Sequence, residues 1–288
     1  MIQMNKVVYT PVSQVPLREL LSPLAIIRAL WVHRQLVMAF ARRDFAATHR
    51  ETYLGIAWTV LSPLIMLALF TFVFGGIFHG RFNTSLEESP LDYALALFVG
   101  LSLFNMVGLM LNGAPSLLIS NSTYVKTLKF PVEILPVAFV LNALFNVGIS
   151  FSLCLLLSLY KHGGLPLSTL ALPVLIAPLI LLCLGLAWIL SASSVFVRDI
   201  PSITSPLTTI LMFTSLVFFP LSSVSPHLAF LFQFNPLAIL IESTRGAVLY
   251  GVWPHIGTLA PLYVASLLIA MFGYGFFIKS KIAFADVL

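Results

Sequence analysis

Charge is what this sequence has least of. Only 9% of its 288 residues are Asp, Glu, Lys or Arg, against 59% hydrophobic, where an average soluble domain carries about 25% charged residues. So few ionised side chains cannot coat a globule of this size. With a mean hydropathy of +1.03, the natural solvent is lipid. Cysteine is nearly absent too: Cys154 and Cys183 both sit inside apolar runs, which reads as packing and not as a disulfide framework or metal site. No G-x-x-x-x-G-K-[ST] occurs. Gly75 and Gly80 have the right separation, but Arg81 follows instead of a lysine, and an apolar helix precedes instead of a strand. The six histidines show no H-x-x-x-H spacing, and there is no G-x-S-x-G. The chain therefore carries no motif for hydrolysing ATP and no evident nucleophile, and no bound metal or cofactor is expected. The first 20 residues lack a charged-then-apolar leader with a small-residue cleavage site.

What the sequence does have is long apolar runs. A spanning helix needs about 20 mostly apolar residues. Six runs qualify: Tyr53 to Phe78, Tyr93 to Asn112, Val132 to Tyr160, Leu167 to Val195, Ile203 to Phe219 and Ile256 to Ile278. An all-α membrane protein with six transmembrane helices is expected. Pro63, Pro136, Pro173, Pro178 and Pro206 fall within or at the ends of the runs, which neighbouring helices can accommodate. No tandem repeat or low-complexity stretch is visible. The chain divides into an N-terminal extension (1–21), an amphipathic interface helix (22–50) and a six-helix membrane domain (51–288).

Charge sorts the loops. Lys6, Arg18, Arg28, Arg34, Arg42, Arg43, Arg50, Lys126, Lys129, Arg198, Lys279 and Lys281 fall on one side, which is 12 of the 15 basic residues. Arg81, Lys161 and Arg245 fall on the other, near Glu87, Glu88 and Asp92. The positive-inside rule then puts both termini in the cytoplasm, and an even number of spans follows. The net charge of +5 needs no nucleic-acid partner, because orientation and anionic headgroups account for it.

Two segments differ from the spans. From Ser22 to Arg50, apolar residues (Leu24, Ile27, Leu30, Trp31, Leu36, Val37, Phe40, Phe45) alternate with basic ones, as in a helix lying in the membrane interface. Arg42, Arg43 and Arg50 either snorkel to headgroups or form a collar for a diphosphate, for which the planar guanidinium fork is suited. From Pro220 to Pro254 the chain is too interrupted for a span and too apolar for a solvated loop. A re-entrant pair of short helices on the outer face is expected, with Glu242 and Arg245 able to pair at i, i+3. The spans hold almost no ionisable residue. Asp92 and Glu133 lie at their edges, whereas an ion-coupled carrier keeps such groups inside. A permease driven by a separate ATPase fits better.

Arg43-Asp44-Phe45, Tyr53-Leu54-Gly55-Ile56-Ala57-Trp58, Leu61-Ser62-Pro63-Leu64 and Val73-Phe74-Gly75-Gly76-Ile77-Phe78 resemble the signature of type-2 ABC exporter permeases, closest to the exporters of O-antigen, teichoic acid and capsule. Asn121-Ser122-Thr123-Tyr124-Val125-Lys126 with Lys129-Phe130-Pro131, then Phe196-Val197-Arg198-Asp199-Ile200, Asn235-Pro236-Leu237 with Glu242 and Arg245-Gly246, and the tail Ile278 to Leu288 resemble later parts of that family in the same order. The tail has Ile282 and Ala283 where the family often has arginine. The resemblance implies a homodimer bound to two copies of a cytoplasmic ABC ATPase, which holds the ATP and Mg. It implies a polysaccharide substrate on a lipid diphosphate, admitted past Tyr53, Leu54 and Gly55. It also implies ATPase contact through Tyr124, Lys126, Lys129 and Pro131, and an outer re-entrant region at Asn235, Pro236, Glu242 and Arg245. Sugar rings present C–H faces that pack on aromatic rings, so Phe70, Phe74, Phe104, Phe213 and Phe218 are candidates to line a glycan channel. An export permease for a drug or small lipid, and an intramembrane glycan-processing enzyme, are the rival readings. The enzyme would need acidic or histidine residues gathered at one membrane face.

Overall fold

The structure is a computed structural model that describes residues 23–50, 53–77, 82, 89–127 and 130–288. The expected N-terminal extension, Arg81, Glu87, Glu88 and Lys129 lie outside them. Every regular element among the described residues is helical.

The N-terminal amphipathic segment is two helices, α1 (Pro23–Val32) and α2 (Arg34–Arg50), broken at His33. Its apolar residues divide between two faces. Ile26, Val37, Phe40 and Ala41 are buried, while Ile27, Trp31, Val32 and Leu36 are exposed. One face packs on protein and the other is left for an apolar solvent, as an interfacial helix requires. Helix α3 (Trp58–Phe70) runs into a π-helical stretch, Thr71–Ile77. It is lightly seated, with only Thr59, Leu67 and Phe70 buried.

Helix α4 (Pro90–Ser120) starts on a capping box. The Ser89 hydroxyl accepts from Asp92 N, and the Asp92 carboxylate accepts from Ser89 N at 3.0 Å. Helix α5 (Ile134–His162) ends on Gly163 at φ +68°, the left-handed stop that glycine tolerates. Lys161 from that end pairs with Asp92, and His162 Nε2 stands 3.3 Å from it. The Lys161 cation at one helix C-terminus thus meets the Asp92 anion at the N-terminus of another. The remaining helices are α6 (Leu172–Phe196), α7 (Ile200–Thr214), α8 (Pro226–Gln233), α9 (Pro236–Leu249) and α10 (Ile256–Val287).

Four segments are long and apolar enough to cross a membrane: Pro90–Ser120, Ile134–His162, Leu167–Phe196 and Ile256–Phe284. The expected first and fifth spans are present as shorter apolar helices, Trp58–Phe74 and Ile200–Thr214. At about 1.5 Å per residue, the 15 residues of α7 reach about 22 Å, less than the roughly 30 Å of a hydrocarbon core. The second and sixth run well past their expected ends, to Ser120 and Val287.

Among the long helices α4, α6 and α10 run one way and α5 runs the other, which defines two ends. The near end gathers α1, α2, the C-termini of α4, α6 and α10, and the N-terminus of α5 around Phe40, Leu118, Ile134, Trp188 and Phe277. The far end packs α9 against α4 and α6 through Leu95, Leu97, Leu179, Ile241 and Val248. The tightest contact is α6 on α10. A Cβ on Gly185 would stand 2.6 Å from the Ile269 carbonyl oxygen, and one on Gly273 would stand 2.6 Å from that of Gly185. Small residues let the two backbones touch, which is how helices adhere where lipid removes the hydrophobic drive. Beside this contact the buried Trp188 indole donates to the Glu133 carbonyl at 3.2 Å. The Glu133 carboxylate takes Lys281 at 2.6 Å, so α10 is latched to the start of α5.

Candidate functional site

Helix α4 presents an exposed row of Asn105, Leu109, Asn112, Ser116 and Ser120. Spacings of three and four residues put them on one face. Most are held by their own helix. Asn112 Nδ2 donates to the Gly108 carbonyl at 2.9 Å and to Thr208 Oγ1 of α7 at 3.1 Å. Ser116 and Ser120 donate to the carbonyls of Gly113 (3.0 Å) and Ser116 (2.9 Å). Donors satisfied this way leave oxygen lone pairs facing outward. Exposed amides within an apolar span are expensive against acyl chains, so this face suits a watered path or a protein surface. Across the row, α3 stands over a cleft of about 380 Å³ lined by Ser62, Ser102, Asn105, Asn146 and Ser150, with Trp58 beside them. Among the described residues no charged side chain lines it. The sequence reading gave its weight to aromatic rings and missed this row. Its signal was available as Asn and Ser recurring at helical spacing within an apolar run.

At the near end the row meets the basic helix. Arg43 Nη2 donates to Asn121 Oδ1 at 3.2 Å, and its Nε donates to Asp44 Oδ1 at 2.9 Å. Its guanidinium lies 4.4 Å from the Phe40 ring centre and 5.6 Å from that of Tyr124. The rings of Phe40, Tyr124 and Phe130 form a triangle with centroids 5.2, 5.4 and 5.2 Å apart. Arg43 thus brackets α2 to the helical turn Ser122–Val125. Arg42 is exposed beside it; the side chain of Arg50 lies outside the described residues. Tyr53 and Leu54 are exposed on a turn closed by Ala57 N to the Leu54 carbonyl at 3.0 Å. Gly55 holds that turn at φ +51°, where a side chain is disfavoured. Tyr124 and Lys126 are exposed, and Pro131 is half-buried.

Four of the five candidate rings form a ladder toward the far end. Centroids are 6.1 Å apart for Phe70–Phe74, 6.5 Å for Phe74–Phe218 and 6.0 Å for Phe218–Phe213. Phe213 is exposed, Phe74 and Phe218 are half-buried, and Phe70 lines the cleft under α3. Phe104 stands apart, packed in the bundle interior.

Two short helices, α8 and α9, occupy the interrupted stretch before α10. Asn235 caps α9, its Oδ1 accepting from Leu237 N at 2.9 Å with Pro236 at the first helical position. The same amide donates to the Thr214 carbonyl at 2.9 Å. Arg245, 1% exposed, donates through Nε to the Ala96 carbonyl at 2.7 Å, through Nη1 to Leu216 at 2.6 Å and through Nη2 to Val217. The Phe82 ring covers it at 4.2 Å. A helix end leaves its last carbonyls unpaired. Here Asn235 and Arg245 supply the donors for the end of α7 and the turn after it, where Leu216 is held at φ +55°. The expected Glu242–Arg245 pair is secondary, since its closest approach of 3.8 Å is too long for a hydrogen bond. Gly100 admits the guanidinium; a Cβ there would stand 2.5 Å from Nη2.

Among the described residues no three His, Cys, Asp or Glu side chains come together as a metal site. The family model of the ABC-2 type transporter matches residues 35–249, a stretch that holds the Arg43 bracket, the α4 row and the Arg245 clasp. The chain is 26% identical over 228 residues to the O-antigen export system permease protein RfbA of Myxococcus xanthus, covering 78% of this chain and 84% of that one. It is 22% identical over 259 residues to a protein of the same name from Klebsiella pneumoniae, covering 88% of this chain and 95% of that one. With its crossing helices and this match over most of its length, the chain belongs to the ABC-2 type transporter family and is a multi-pass membrane permease.

Proposed function

We propose that the chain is the membrane subunit of an ATP-driven exporter moving a polysaccharide, O-antigen in the first instance, on a lipid diphosphate across the bacterial inner membrane. Two copies pair, and two copies of a cytoplasmic ATPase bind the near end, which holds both termini. ATP and Mg belong to that ATPase, and this chain catalyses no reaction. The observation that carries the reading is the uncharged polar row on α4 with the cleft beside it. Sugar hydroxyls need hydrogen-bond partners they can exchange as the polymer slides. Amide and hydroxyl oxygens offer these without the tight grip of a charge. The printed names of the relatives point the same way.

The residues then take these parts. Arg42 and Arg50 capture the diphosphate, and Tyr53, Leu54 and Gly55 form the turn past which the lipid is admitted. The ATPase meets Tyr124, Lys126, Lys129 and Pro131. Its closure moves the Ser122–Val125 turn, and the Arg43 bracket carries that movement into α2. The glycan passes the row and then the ladder of Phe70, Phe74, Phe218 and Phe213 toward the outer face, where Asn235 and Arg245 secure the end of α7. The test is co-purification with a co-expressed ABC ATPase from the same genome, with ATP turnover measured with and without a glycan-bearing lipid diphosphate. A two-plus-two complex whose turnover responds to that lipid supports the reading. A chain that purifies alone, or a complex indifferent to the lipid, overturns it.

A further inference from the structure

The far end holds a second set of polar and aromatic groups that the transport path does not use. Two adjoining cavities, of about 380 and 350 Å³, share Glu242 and Ser243 of α9 and Thr258 of α10. Clefts that hold small ligands generally span about 300–1,000 Å³. The second cavity is walled by Tyr250, Trp253 and His255. Trp253 is 60% exposed. The Glu242 carboxylate is 47% exposed, because Arg245 directs its donors to three carbonyls instead. Thr258 Oγ1 donates to the His255 carbonyl at 2.8 Å, which leaves its lone pairs as acceptors. His255 Nδ1 caps α10 by accepting from Gly257 N at 3.1 Å. A ring that merely anchors the protein at a membrane interface needs neither a cavity nor an exposed carboxylate beside it.

We infer that this cradle is a saccharide-binding site on the far face, taking a neutral hexopyranose ring. The C–H face of the sugar stacks on Trp253, two neighbouring hydroxyls donate to the Glu242 carboxylate, and Ser243 and Thr258 complete the contacts. The Arg245 cation at 3.8 Å is already engaged by three carbonyls, so the Glu242 carboxylate disfavours a second carboxylate and uronic acids are refused. The inference deepens the export reading and rests on it for the source of the ring, which is a unit of the emerging polymer held against sliding back.

The test uses the full chain in lipid nanodiscs, titrated with methyl glycosides of glucose, mannose and galactose and, separately, with glucuronic acid. Binding is followed by tryptophan fluorescence and by saturation-transfer NMR. A saturable response to at least one neutral glycoside and none to glucuronic acid is expected. Glu242→Gln should weaken it about tenfold, the loss of a charged hydrogen bond, and Trp253→Phe should remove the fluorescence change while keeping weaker NMR binding. Absence of saturable binding, equal binding of glucuronic acid, or variants indistinguishable from wild type would each overturn the site. Polymer export is measured in parallel on wild type. Export without sugar binding sinks the site and leaves the export reading standing. Sugar binding without export supports the site and sinks that reading.

Discussion

Arg43 of α2 donates to Asn121 at the end of α4 across 78 residues of chain, at 3.2 Å. The same guanidinium lies over Phe40 and Tyr124, so one side chain ties the basic helix to the turn that follows the row. Arg43→Ala and Asn121→Ala should each lower export at least tenfold while ATP turnover in the assembled complex continues. Arg43→Lys should not restore it, because an ammonium is a point donor and cannot bridge Asp44, Asn121 and two rings. The double variant should be no worse than either single one, since both remove the same link. Export at the wild-type level in all three would show that the bracket carries no movement.

Arg245 is a matter of stability. Arg245→Ala strands the carbonyls of Leu216 and Val217, each at about 1–3 kcal/mol when buried without a donor, and takes the second donor from the Ala96 carbonyl, which keeps its bond within α4. It should abolish folded protein in detergent extracts. Gly100→Ala puts a methyl 2.5 Å from Nη2 and should lose about 1–3 kcal/mol by overpacking, seen as a lower melting temperature in the same detergent. Glu242→Gln should leave that temperature unchanged, because the carboxylate is 3.8 Å away.

The α4 row predicts opposite signs for activity and stability. Asn105→Leu removes an exposed amide from an apolar span, so the melting temperature should hold or rise. Export of the polymer should fall severalfold with normal assembly. Thr208→Val should act more weakly, since it removes the Asn112 contact and the hydroxyl's bond to the Thr204 carbonyl but leaves every amide of the row in place. A fall in melting temperature without a change in export would mark the row as structural.

At the helix crossing, Gly185→Val and Gly273→Val should each separate α6 from α10. Backbone on the other helix stands 2.6 Å from either added carbon, and backbone cannot swing aside. Both should give unstable protein by size-exclusion chromatography. Gly148→Ala, where an added carbon meets nothing within 4 Å, should behave as wild type.

Much of this was legible from residue types. The interrupted stretch from Pro220 to Pro254 was expected to hold two short helices, and α8 and α9 lie there. The long apolar runs from Tyr93, Val132, Leu167 and Ile256 became the crossing helices. The shorter first and fifth helices were less legible, because composition reports how apolar a run is and not where its helix yields to a π-stretch or a turn. Arg245 was read by its neighbour in sequence, Glu242, whereas its donors go to carbonyls 28 to 149 residues away. Carbonyls carry no side-chain signature, so no pattern could have named them. The row on α4 was within reach and was passed over, because aromatic rings are conspicuous in an apolar helix and single serines are not.

The contact of Gly185 with Gly273 has a mechanical meaning. Backbones in touch have no side chain to slide or re-rotamer, so α6 and α10 form a rigid post. Helix α7 buries only Thr204, and α3 little more. Among the described helices the joined pair α6 and α10 thus has the least room to shift, and the lightly seated α3 and α7 have the most.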